Sequence, residues 1–230
     1  MTAWAEVAAA LAAFVGSHFL PSRPAVRVRL IAWLGKSGYG IAYSLVSLAI
    51  LAWMIEAAGR APFLELWPQH GLARWAPNLA MPLSLVLICT GIGLRWRWTL
   101  GAGRRAFDPL DPGIAAVTRH PLLLALILWS GSHLIANGDL AHVVLFGTFL
   151  GLSLAAIPLF DARARATIPI EIQTRVFAAT ALFSPRPFLN GMWLRQNAGL
   201  LPRFILALLL AAALKALHEP VIGVSPELLQ

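Results

Sequence analysis

The sequence predicts an all-α protein: a polytopic transmembrane helix bundle of about six spans, with both termini on the non-cytoplasmic side and residues 1–230 forming a single integral membrane domain. Three observations carry this. Hydrophobic residues make up 59% of the chain and charged residues only 12%, with a mean hydropathy of +0.73, well beyond an ordinary soluble domain. The apolar residues gather into runs close to the length that crosses a hydrocarbon core of about 30 Å. The basic residues alternate from loop to loop, as the positive-inside rule requires of a multi-pass chain.

In chain order the runs cover residues 3–20, 39–57, 78–94, 113–136, 140–160 and 202–217. The first lacks a basic leader, carries Glu6 and is followed by arginines, so it reads as a retained helix rather than a cleaved signal peptide. Fifteen of the eighteen lysines and arginines fall in three stretches, 21–38, 95–119 and 161–203. Arg60, Arg74 and Lys215 lie on the other side if the helices alternate. Residues 161–201 form the longest stretch that does not span. Ile170, Val176, Phe177 and Leu182, with Arg175 between them, predict an amphipathic helix on the cytoplasmic surface ahead of the Ser184-Pro185-Arg186-Pro187 break.

The formal charge of +8 and pI near 11.2 do not indicate nucleic acid, because the arginines are shared among loops rather than gathered in one patch. Cys89 is the only cysteine, which excludes an intramolecular disulfide and a cysteine metal cluster. Trp4, Trp33, Trp53, Trp67, Trp75, Trp96 and Trp98 fall near expected interfaces and read as belt residues. His70 and His218 fall in or beside outer segments and read as solvated.

Chemistry rests on the remaining histidines. Ionisable side chains inside a bilayer are functional candidates by default. Residues 118–133, TRHPLLLALILWSGSH, place histidines near both ends of a lipid-like run, and Gly16-Ser17-His18 closes the first run much as Gly131-Ser132-His133 closes this one. Small residues beside a histidine let a flat ligand approach the backbone. Thirteen residues separate His120 from His133, about 20 Å of helix, so the two do not share one metal. Depth places His133 with His142 across the Asn137-Gly138 turn, with Glu56 in the same layer, and places His18 with His120 on the cytoplasmic side. Imidazole is a common axial ligand of haem iron, and Trp129, one turn before His133, offers a ring to pack on the macrocycle. The plain alternative is a histidine that bridges helices by a hydrogen bond. Arg119-His120-Pro121 reads either as a clamp for an anion or cofactor or as a helix start, and Asp108 and Asp111 read as turn residues.

The segments HFLPSRPAVRVRL, KSGYGIAYSLVSLAILAW, APFLELW, DPGIAAVTRHPLLLALILWSGSHLIANGDL and LFGTFLGLSLAAIPLFDARARA together resemble the NnrU family of bacterial inner-membrane proteins, across most of the first 166 residues. That resemblance implies a place in nitrite and nitric oxide metabolism. It also implies a likeness to the zeta-carotene cis-trans isomerases, which carry haem b on a histidine of the first helix and on the histidine of a W-x-x-x-H run. Those positions match His18 and His133. The isomerases have a cysteine after the tryptophan where this chain has Ser130, so any ligand switch there is in doubt. The resemblance and the two depth pairings leave three histidine pairs open.

The resemblance implies a haem b-dependent isomerase acting on a lipophilic polyene or another small ligand such as nitric oxide. Its alternative is a non-catalytic accessory protein working with denitrification reductases. The Arg119-His120-Pro121 motif is also similar to that of membrane methyltransferases that use S-adenosylmethionine. Those carry an aromatic residue soon after the motif and a downstream glutamate pair, where this chain has Leu122-Leu123-Leu124 and Phe160-Asp161-Ala162-Arg163. This third reading is therefore the minor one.

Overall fold

The computed structural model describes residues 2–21, 23–69 and 71–227, and His70 lies outside them. Among the described residues the chain forms eight α-helices and no β-strand. It divides into two compact units, Met1–Pro68 with Asn137–Leu145, and Gln69–Ala136 with Phe146–Gln230.

In the first unit, α1 (Ala3–Phe19) opens on Thr2, whose hydroxyl accepts from the Ala5 amide and satisfies one of the orphan donors of the first turn. α2 (Pro24–Arg60) packs along it. Glu6 of α1 accepts from Arg60 and from Trp53 Nε1, both on α2. Residues 21–38, read as a loop, are mostly helical instead. Proline is tolerated at a first turn, so α2 begins at Pro24, and the interruption falls later, at Gly35, where φ of +69° and ψ of 168° suit only glycine. The Asn137-Gly138 turn is clamped to the residues before Pro68. Leu66 and Trp67 both donate to the Gly138 carbonyl, at 2.7 and 3.2 Å, and the Leu140 amide donates to Leu64. A Cβ at Gly138 would lie 1.9 Å from the Trp67 carbonyl oxygen, so only glycine fits this approach.

In the second unit, α3 (Trp75–Gly91) packs against α4 (Pro121–Ala136) and α8 (Leu201–Ile222). Gly91 lets α3 meet the start of α4, since a Cβ there would come within 2.4 Å of Pro121 Cγ. α5 (Leu140–Thr167) begins in the first unit and runs through the second, followed by α6 (Ile170–Ala178) and α7 (Gly191–Gln196). The helices Pro24–Arg60, Gly71–Gly91, Leu140–Thr167 and Ala198–Ile222 are long and apolar enough to cross a membrane, and the chain is a multi-pass membrane protein. α1 and α4 are apolar but shorter, at 17 and 16 residues, the latter about 24 Å long.

Two expected boundaries move. The run 113–136 is not one helix: Gly113–Ala116 is a short 3₁₀ turn and α4 starts at Pro121. Proline has no amide hydrogen and drives the preceding residue out of the helical region, so His120 stands outside the helix it introduces. The run 140–160 continues to Thr167, which carries Asp161 into α5.

The polar stretches flanking these boundaries build a core of their own. Trp96 is completely buried among Leu94, Ile114, Val117, Ala164 and Val176. The rings of Trp98, Phe107 and Phe177 stand edge-on to it at 5.0, 5.2 and 5.6 Å. Trp96 is thus no belt residue: Gly93 and Gly103 fold the loop back on itself through Gly93 N–Gly101 O and Gly103 N–Leu94 O bonds, which places its indole inside. α6 forms where expected and turns Val176 into this core, while Ile170 stays exposed. Residues 115–119 are stitched to 181–184 by three backbone bonds, Ala181 N to Ala115 O, Arg119 N to Ala181 O and Ser184 N to Val117 O.

Replacing Trp96 by alanine is expected to cost about 3–5 kcal/mol, the usual range for emptying a filled aromatic site. Leu110→Ala, at a side chain 77% exposed in the same loop region, leaves stability nearly unchanged. Thermal unfolding of the detergent-purified variants checks both.

Candidate functional site

Thr118 begins the buried site. Its hydroxyl accepts from the His120 amide at 3.2 Å, a local turn that sets the backbone for Pro121, and the His120 carbonyl then accepts the first helical bond from Leu124. His120 is completely buried, and both ring nitrogens are engaged. Nε2 lies 2.9 Å from Asp161 Oδ1 and Nδ1 lies 3.1 Å from the Thr99 hydroxyl. With Nε2 donating to the carboxylate, a neutral ring takes the Thr99 hydroxyl proton at Nδ1. Arg119 approaches the same carboxylate as a fork, Nε donating to Oδ1 at 2.8 Å and Nη2 to Oδ2. Phe177 is flanked by the Arg119 and Arg165 guanidinium groups, at 5.4 and 4.1 Å from its ring centre.

This arrangement holds charge rather than exposing it. Arg119 Nε and Nη2 and His120 Nε2 all donate to the Asp161 carboxylate, and the Thr99 hydroxyl donates to His120 Nδ1. Sequence reading found Arg119 and His120 but missed Thr99 and Asp161. The available signal was a lone acid at the end of an apolar run, which a buried basic pair elsewhere must match.

His18 and His133 sit in a repeated local frame, each in the last turn of its helix. His18 Nδ1 is 2.8 Å from the carbonyl oxygen of Phe14, and His133 Nδ1 is 2.8 Å from that of Trp129, in each case four residues back. The preceding serine donates to the same carbonyl, Ser17 to Phe14 at 2.9 Å and Ser132 to Trp129 at 3.0 Å. A carbonyl only accepts, so both imidazoles carry a hydrogen on Nδ1. Around His18 lie the rings of Phe14 at 4.2 Å and Tyr43 at 6.0 Å, and around His133 those of Phe146 at 5.0 Å and Trp129 at 6.0 Å. Trp129 itself packs edge-on against Phe146 and Phe149.

The shared glycines do something other than expected. Residues two apart on a helix point about 200° from one another, so Gly16 and Gly131 open the face opposite the imidazole rather than the space beside it. Ser130 is completely buried and donates back to the Leu126 carbonyl.

His142 belongs to a helix cap. Asp139, 4% exposed, accepts from the His142 amide at 3.2 Å and from its Nδ1 at 2.7 Å, closing the first turn of α5. Glu56 pairs with Arg60 at 3.3 Å. His218 Nδ1 donates to the Val224 carbonyl at 2.8 Å. Asp108 Oδ1 accepts from the Leu110 amide and Asp111 pairs with Arg95, so both aspartates serve the turn feeding the site. Among the described residues no three His, Cys, Asp or Glu side chains gather in a set able to hold a metal ion.

Set against known proteins, a family model described as NnrU protein matches residues 6–226. No curated protein and no solved structure matches the chain.

Removing Asp161 leaves the Arg119 guanidinium and the Nε2 hydrogen of buried His120 without their acceptor. Asp161→Ala is expected to destabilise the protein by about 3 kcal/mol, whereas exchanging the whole set through Arg119→Met, His120→Phe and Asp161→Leu together recovers most of that loss. Thermal unfolding of the single and triple variants checks the difference.

Proposed function

Because this chain belongs to the NnrU protein family, we propose that it is a haem b protein of the bacterial inner membrane, in which His18 and His133 would hold the haem, and that it acts on a lipophilic conjugated ligand by cis-trans isomerisation. The observation that supports this is the repeated frame. An aromatic residue, a glycine, a serine and a histidine recur at the same spacing at positions 14–18 and 129–133, with the same two hydrogen bonds to the same carbonyl.

Each of the two histidines, taken within its own unit, suits such a group. An imidazole whose Nδ1 hydrogen is held by a backbone carbonyl is fixed in ring orientation and tautomer, and the bond raises the basicity of Nε2, which is the usual second-shell arrangement of a ligating histidine. The aromatic side chains beside the half-buried His18 and His133 supply flat walls of the kind a macrocycle packs on. His120 has both ring nitrogens engaged, by Asp161 and by Thr99. Haem b, when bound, supplies a redox-active iron able to lend electron density to a conjugated double bond and so let it rotate. The apolar spans favour a ligand that arrives from the bilayer rather than from water.

The absorption spectrum of the protein, oxidised and dithionite-reduced after haem-supplemented expression, is the test. The wild type is expected to show a Soret band with reduced alpha and beta bands. His18→Ala and His133→Ala each remove or shift these bands, while His142→Ala keeps them. A colourless wild type, or bands that survive both single changes, overturns the proposal and moves weight to an accessory role in nitrite and nitric oxide reduction.

A further inference from the structure

Between the end of α6 and the start of the last span lies a segment with an unusual surface. From residue 172 to residue 218 there is no acidic residue, while Arg186, Arg195 and Arg203 follow one another through it. Phe183, Phe188, Leu189 and Met192 are 71%, 52%, 87% and 69% exposed, although each is large and apolar. A soluble surface rarely groups such side chains.

The backbone that displays them is fixed. The Ser184 amide donates to the Val117 carbonyl at 2.8 Å, anchoring one end of the segment. Asn190 caps α7 by accepting from the Met192 and Trp193 amides, at 3.0 and 3.2 Å. Trp193 packs on the Trp96 core and donates through Nε1 to the Gly113 carbonyl at 3.3 Å. One face of the segment is therefore pinned to the protein while Phe183, Leu189 and Met192 stand exposed and Phe188 leans edge-on against Trp193 at 5.5 Å. Beside it runs an open groove of about 440 Å³ bordered by Ala178, Thr180, Ser184, Arg186, Asn190 and Trp193, in which Arg186 is the only charged residue. Neither Arg186 nor Arg195 is ion-paired among the described residues. The segment continues directly into the apolar helix Ala198–Ile222, so its exposed face is tied to the lipid boundary by the chain itself.

We infer that residues 182–194 are an interfacial foot seated in an anionic leaflet, with the groove at Arg186 binding the phosphate of an acidic phospholipid. Charge and shape agree on this occupant. The unpaired arginines match anionic headgroups, and the exposed Phe188, Leu189 and Met192 match the acyl boundary just beneath them. The site makes no use of His18 or His133, so it stands or falls separately from the haem reading.

A fluorescence titration tests it. A nitrobenzoxadiazole label is attached after Leu189→Cys in a Cys89→Ser background, and the full-length protein in neutral detergent is titrated with phosphatidylglycerol, phosphatidylcholine or inorganic phosphate. The expected result is a saturable rise with phosphatidylglycerol alone. Arg186→Gln weakens that response about fivefold, the factor one interfacial arginine contributes, and Arg97→Gln, at an exposed arginine outside the segment, leaves it unchanged. Equal responses to both lipids, a response to inorganic phosphate alone, an Arg186→Gln titration matching wild type, or a label still quenched by aqueous iodide at saturating lipid would each overturn the inference. Arg186→Ala gives the same reading if Arg186→Gln elutes as aggregate.

Discussion

A carboxylate inside an apolar helix is the constraint on which much of the second unit depends. α5 continues past its expected end and carries Asp161 into a half-buried place where water solvates it only in part, so the protein brings donors to it. Those donors are Arg119 and His120, and their placement explains the rest of the neighbourhood. Pro121 ends the irregular stretch and starts α4, Thr118 turns the backbone, and Thr99 arrives from the folded loop 92–103 to fill the other side of the imidazole. The three bonds between residues 115–119 and 181–184 hold the whole stretch in register. Such a network is weak as a source of stability, because desolvating the ions offsets most of their attraction. It specifies one arrangement strongly, because a displaced partner leaves a buried charge unmatched.

The two histidine frames follow from a different piece of physics. A serine and a histidine placed three and four residues after an aromatic residue both reach back to that residue's carbonyl oxygen, whose second lone pair is open beside the helical bond it already accepts. The result is an imidazole whose hydrogen, tautomer and ring direction are decided by its own helix. Such pre-setting asks little of the tertiary fold, which is why the same frame recurs in separate compact units, once on α1 and once on α4.

The family and the apolar helices were open to a reader of the sequence, because composition, run length and basic-loop alternation all report on the bilayer. His18 and His133 were legible as a repeated motif. Asp161 was visible as a lone acid but not as the partner of Arg119 and His120, since forty residues and a helix lie between them and no local pattern encodes the contact. Trp96 was misread for a related reason: tryptophan beside arginine near a span end fits the interface, and only the fold of its loop hides it. The interruption of α2 at Gly35 was equally silent, because glycine in an apolar helix has several meanings and only the backbone angle selects one.

The sequence by itself determined that this is an all-helical membrane protein of the NnrU family with histidines at its helix ends, because periodicity, hydropathy and motif are properties of neighbours along the chain. Only the tertiary structure decided that His120 is locked between Asp161 and Thr99, that a second core grows around Trp96, and that residues 182–194 turn their apolar side chains outward. Each of these depends on groups far apart in sequence meeting to satisfy a buried charge or exclude water, and local pattern carries no record of such meetings.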